Sequence, residues 1–172
     1  SYFVSLLLIG ISSVFFGACS DEDELTPSGN DFNYFIPDDD DHSPEAELRR
    51  SFYDETGIYL LFSDTLRHIP NGVNAYGETV YQTERINFNY NLTGNNNYTL
   101  RITYYTSIDE MEEAVRQFKQ NYLSHMGKAM QPYSILLVRN LQNDEYGDDW
   151  WEEIGYVSNL NCTGIAVGDV YN

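Results

Sequence analysis

Two short apolar runs constrain this chain more than any other feature. Ile58-Tyr-Leu-Leu-Phe62 and Ser134-Ile-Leu-Leu-Val138 are continuous rather than alternating. A strand with one wet face alternates apolar and polar side chains, so runs of this kind predict strands covered on both faces. Covering elements are legible on either side of them. Ser43 can cap a helix whose first turn holds Pro44, Glu45 and Glu47; Leu48 and Phe52 share one face, and Gly57 is a natural stop. Ser107 and Glu110 have capping-box spacing, and Met111, Val115, Phe118, Tyr122 and Met126 form an apolar stripe, which predicts a longer helix up to Gly127. Ile86, Phe88, Tyr90 and Leu92 alternate with asparagines, residues 93–97 read as a turn, and Leu100, Ile102 and Tyr104 alternate again: a hairpin over 85–105. Residues 144–153 read as an acidic, aromatic loop or short helix, and Ile165-Ala-Val167 as one more strand. The order helix, strand, hairpin, helix, strand, strand predicts an α/β or α+β fold, a mixed β-sheet with two main helices.

The chain has 172 residues, enough for one domain, which is expected over residues 44–172. Its 27 acids against 9 bases give a formal net charge of −18. Sequence-independent binding to nucleic acid needs a basic face that displaces counterions, so that class is excluded, as is electrostatic docking on anionic lipid. Residues 1–18 carry no charged side chain and end in Gly17-Ala18, small residues suited to a signal-peptidase pocket. Acids follow, not the basic flank of a stop-transfer segment. With no initial Met and no basic leader, the sequence is expected to be clipped at its N-terminus; the C-terminal boundary is expected to be a truncation too.

Phe16-Gly17-Ala18-Cys19 resembles a bacterial lipobox, with Phe where Leu is usual. The resemblance implies that Cys19 is lipidated and becomes the first mature residue; the competing structural reading is a buried free thiol at the end of an apolar helix. Ser20-Asp-Glu-Asp-Glu24 resembles the stretch that follows the lipidated cysteine in surface lipoproteins of Bacteroidetes. That implies an outer-membrane protein, lipid-anchored and facing the cell surface, with an acidic tether over 19–43. In the tether, the island Phe32-Asn-Tyr-Phe-Ile36 is expected to dock on the domain, and the run Asp38–Asp41 lacks the spacing of a calcium loop.

Candidate chemistry is sparse. His42, His68 and His125 do not cluster, and none lies one helical turn from another. Cys162 reads as a small buried apolar residue rather than a nucleophile. No catalytic residue, metal ligand or cofactor site is expected within this chain. Trp150 and Trp151, flanked by acids, are candidates for a sugar-stacking platform; the bland alternative has one ring anchoring its loop in the core. Asn91, Asn97 and Asn161 begin formal glycosylation sequons, and Asp64-Thr-Leu66 resembles a short O-glycosylation motif of Bacteroidetes.

Leu48-Arg-Arg-Ser-Phe-Tyr-Asp-Glu-Thr-Gly-Ile-Tyr-Leu-Leu-Phe-Ser-Asp-Thr-Leu66 resembles the opening of zinc metallopeptidase-like lipoproteins of Bacteroidetes, associated with outer-membrane nutrient import. The resemblance implies the N-terminal half of a zincin-like domain, a membrane attachment through lipid, import proteins as partners, and zinc in a full-length relative. The family's His-Glu-x-x-His is absent from these 172 residues, so this chain by itself is expected to be inactive. The alternative is a non-enzymatic surface lipoprotein that binds a glycan or a protein partner.

Overall fold

The structure, a computed structural model, describes residues 33–88, 99–144 and 150–170. Tyr34–Asn172 form one compact unit, distinct from Ser1–Asn33. Its centre is the apolar run Ser134–Val138. Strand β5 (Ser134–Val138) is buried at every position and lies parallel to β1 (Tyr59–Leu61) on one side and to β9 (Thr163–Ala166) on the other. An antiparallel edge strand, β8 (Tyr156–Ser158), completes the mixed sheet in the order β1-β5-β9-β8.

Successive residues of a strand face opposite sides, so each apolar run feeds two cores. Leu60, Ile135, Leu137 and Ile165 pack with Phe52, Met111, Ala114, Val115 and Phe118 from the helices α1 (Pro44–Thr56) and α2 (Ile108–Asn121). Leu61, Leu136 and Val138 pack on the other side with Ile86, Phe88, Leu141, Val157 and Cys162. That second side is covered by a smaller sheet in the order β4-β6-β7, built from β4 (Thr99–Thr103), β6 (Asn140–Asp144) and β7 (Glu152–Glu153). Gly164 is required where the layers approach: a Cβ there would lie 3.1 Å from Val157 Cγ1 and 3.4 Å from Phe88 Cζ.

Helix α1 has the predicted bounds. Ser43 Oγ accepts the Ala46 N–H at 3.2 Å, and Gly57 closes the helix at φ 76°, its N–H donating to Tyr53 O at 2.7 Å. Helix α2 starts at the predicted cap, where Ser107 Oγ accepts the Glu110 N–H. It ends at Asn121, short of Gly127. Single 3₁₀ turns over Leu123–His125 and Lys128–Met130 follow, and Tyr122 is left exposed, with its ring stacked 5.8 Å from Phe118. The apolar stripe therefore runs past the surface it can cover.

The hairpin expected over 85–105 is a correction. Residues 86–88 have left the strand, with Ile86 and Phe88 buried in the second core and Asn87 exposed; residues 89–98 lie outside the described residues, and β4 pairs antiparallel with β6 instead. The hairpin that does form is β2 (Thr65–Val73) with β3 (Thr79–Arg85), closed by a turn in which Asn74 Oδ1 accepts the N–H groups of Tyr76 and Glu78. Residues 140–144 and 152–153, in and beside the expected loop, are strand. In the island, whose described residues are 33–36, Phe35 docks on the domain: its ring lies 5.3 Å from Tyr133 and its carbonyl accepts from Arg49 at 3.1 Å. Arg49 also donates to Leu60 O at 2.9 Å, occupying the outer edge of β1. An occupied edge is protected from pairing with another chain.

Candidate functional site

The smaller sheet has one buried and one open face. In the register Arg101–Gln142–Glu153, and in its neighbour Thr103–Asn140, one set of side chains faces away from the core, because Leu100, Ile102 and Leu141 face into it; at the far end of β6 Asp144 is buried. Trp151, two residues before Glu153, shares the open face. The Arg101 guanidinium carbon sits 3.7 Å from the centre of the Trp151 ring, reaching across β6 from the opposite edge strand. Trp151 is thus half-buried under an arginine, and neither core cluster includes it among the described residues. Trp150 is 77% exposed.

This face runs into a cleft of about 550 Å³ lined by Thr103, Arg139, Asn140, Glu153, Gly168 and Asp169, among others. The cleft lies beyond the carboxyl ends of β5 and β9, where open sheets with parallel strands hold their ligands. Arg139 stands at the corner where the chain leaves the main sheet for the smaller one, its N–H donating to Thr103 O at 2.9 Å. Its guanidinium contacts the Glu110 carboxylate, approaches Asp169 Oδ1 at 3.4 Å and lies 5.8 Å from the Tyr105 ring centre. Tyr105 donates its hydroxyl to Gly168 O at 2.8 Å, and burial pushes that hydroxyl's pKa up. The Thr106 N–H first, and Arg139 after it, hold the Glu110 carboxyl below the usual carboxylate range. Asn140 Nδ2 donates to Glu153 Oε1 at 3.1 Å. Arg139 is answered by Glu110 and Asp169, and Glu153 adds a further negative charge. The site offers amides, hydroxyls and carboxylates with an indole beside them, and no net positive charge to hold an anion.

The histidines stay apart and exposed: His42 beside Glu47 at 3.6 Å, His68 bonded to Thr83 Oγ1 at 2.8 Å and stacked on Tyr81, and His125 bonded to Ser124 Oγ at 2.9 Å. Among the described residues no three His, Cys, Asp or Glu side chains group as metal ligands. Cys162 is buried, and burial pushes its thiol up to about 11. Asn161 is exposed and Thr65 half-buried; Cys19, Asn91 and Asn97 lie outside the described residues. Arg101, Arg139, Asn140 and Asp169 were not singled out from sequence. Arg139 left one signal: a base, among only nine, directly after an apolar strand. No protein-family model, curated protein or solved structure matches this chain.

Proposed function

We propose that this chain is a non-enzymatic binding module for neutral glycans, held at the bacterial cell surface by a lipid on Cys19. The observation that carries the reading is the open face of the smaller sheet, where the Trp151 indole under Arg101 leads to Asn140, Glu153 and the cleft at Arg139. Aromatic faces stack on the C–H surfaces of sugars, while amides and carboxylates satisfy their hydroxyls. The acidic surface selects against uronate and sulfated polymers by like-charge repulsion. A glycan array probed with the full chain tests this: binding confined to neutral glycans is expected, and no binding to any glycan refutes it.

The second reading is the N-terminal part of a zinc metallopeptidase-like lipoprotein linked to outer-membrane import. It is favoured by the segment Leu48–Leu66, whose helix, Thr56-Gly57 exit and following strand match the order expected of that family. Thr56 Oγ1 donates to Phe52 O at 2.7 Å and accepts the Ile58 N–H at 3.1 Å, so this exit is built by the residues that carry the resemblance. Reading the gene beyond residue 172 decides it: an in-frame stop with no His-Glu-x-x-His removes the peptidase reading.

A further inference from the structure

Among the described residues, the β2–β3 ribbon is anchored at its base. There the Ile86 N–H donates to Asp64 O at 2.8 Å, Leu66 packs on the second core, and Arg67 reaches Gln82 at 3.1 Å and the Tyr34 hydroxyl. Every residue from His68 to Val73 apart from the base lies exposed, and the large apolar side chains of the ribbon range from 41% exposed at Ile69 to 90% at Tyr76. A two-stranded hairpin is marginal in water without a third strand or a covering layer.

The two edges of the ribbon differ. Along β2 the pairing is interrupted between Pro70 and Val73, and Pro70 has no N–H to offer. Along β3 the strand is regular from Thr79 to Arg85 and contains neither Pro nor Gly. Glu78 O accepts from Asn74 N at one end of β3, and Ile86 N donates to Asp64 O at the other, so its even-numbered residues turn their main chain toward β2. By alternation, the N–H and C=O groups of Thr79, Tyr81, Thr83 and Arg85 turn outward. Such an edge is a template for another strand.

We infer that this edge is a self-association site: two copies of the chain pair antiparallel along β3, in register about Gln82, to form a four-stranded sheet. Charge selects the second copy as the occupant. The ribbon carries Arg67 and Arg85 against Glu78 and Glu84, a neutral arm on a chain of net charge −18. In this register Thr79 faces Arg85, Val80 faces Glu84 and Tyr81 faces Thr83 of the other copy, so no like charges meet. The Tyr–Thr pair is of the aromatic–β-branched kind that stabilises sheets. The two acidic bodies fall at opposite ends of the shared sheet. Seven residues at ~3.4 Å each separate them by ~24 Å, well beyond the ~8 Å screening length at physiological salt.

The test is sedimentation of the full chain in mild detergent at about 100 μM, with salt raised from about 0.05 M to about 0.5 M. The expected result is a two-chain mass whose share rises with salt. Tyr81→Pro removes an outward N–H that the β2–β3 ladder does not use, and should raise the dissociation constant at least tenfold. A residue on the two-fold axis faces its own copy, with Cα atoms about 4.5 Å apart in a non-hydrogen-bonded pair. Gln82→Cys should therefore form a disulfide with itself on oxidation, located at position 82 by peptide mass. A one-chain mass at both salt concentrations, an undiminished dimer in Tyr81→Pro, or no disulfide at position 82 would each overturn the proposal.

Discussion

Arg101 and Trp151 are joined across three strands: the guanidinium carbon of one edge strand lies over the indole beside the other, 3.7 Å from its centre, with β6 between them. The pair orders the open face of the smaller sheet. At an exposed site such a contact contributes only about 0.5–1 kcal/mol. Arg101→Ala should accordingly leave the melting temperature within a few degrees of wild type. It should weaken glycan binding about tenfold or more, because the indole is no longer held in place. Calorimetric melting and affinity electrophoresis on the same preparations check both halves.

The central strand sets a different scale. Leu136 and Phe118 are fully buried on opposite sides of the main sheet. Phe118→Ala is expected to destabilise the fold by about 3–5 kcal/mol and Leu136→Ala by about 2–5 kcal/mol. Urea unfolding followed by tryptophan fluorescence measures both.

At the exit of α1, Gly57 holds φ 76° with open space around its α-carbon. Gly57→Ala would therefore be penalised through the backbone alone, by about 1 kcal/mol. Gly164→Ala meets Val157 and Phe88 instead, so its penalty is steric and should be relieved in part by Val157→Ala. A double-mutant cycle in urea separates the two cases: coupling is expected for 164 with 157 and none for 57 with 157.

Acid should loosen α2. Hydrogen bonds from Arg116, then Gln117, hold the Glu113 carboxyl down at about 2, and Glu110 is also lowered. A carboxylate with a depressed folded pKa contributes stability above its unfolded value, and that contribution is lost as pH falls through the folded one. For Glu113 the window runs from its ordinary 4.5 down to about 2. Melting temperatures of wild type and Glu113→Gln should converge across that interval as pH is lowered; a constant difference down to the bottom of the window would contradict the linkage.

The thiol of Cys162 is buried beside Ser134, and burial pushes its pKa up to about 11. It should resist alkylation in the folded protein at neutral pH and react once denaturant is added. Peptide mass mapping of residue 162 before and after unfolding reads this directly.

The parts of the fold carried by local chemistry were legible in the residues. Ser43, Pro44 and Gly57 delimit α1 because capping and left-handed backbone are short-range effects, and the run at 134–138 declared a strand covered twice. Pairing was not legible. Residues 85–92 and 99–104 alternate like two arms of a hairpin, yet Ile86 and Phe88 are drawn into the second core and Leu100 and Ile102 pair against Asn143 and Leu141. Strand partners are chosen by packing between residues distant in sequence, which periodicity does not encode. The site divides in the same way. Trp151 stood out by composition, whereas Arg101, Arg139 and Asp169 acquire meaning only when β4, β5 and β9 are brought together.

Affinity electrophoresis of the full chain against neutral polysaccharides, starch, xyloglucan, galactomannan and laminarin among them, tests the binding face most directly. Wild type and Trp150→Ala should both be retarded by at least one polymer, and Trp151→Ala should lose that retardation. Wild type that migrates freely in every polymer, or Trp151→Ala that is retarded as strongly as wild type, would contradict a glycan-binding role for this face.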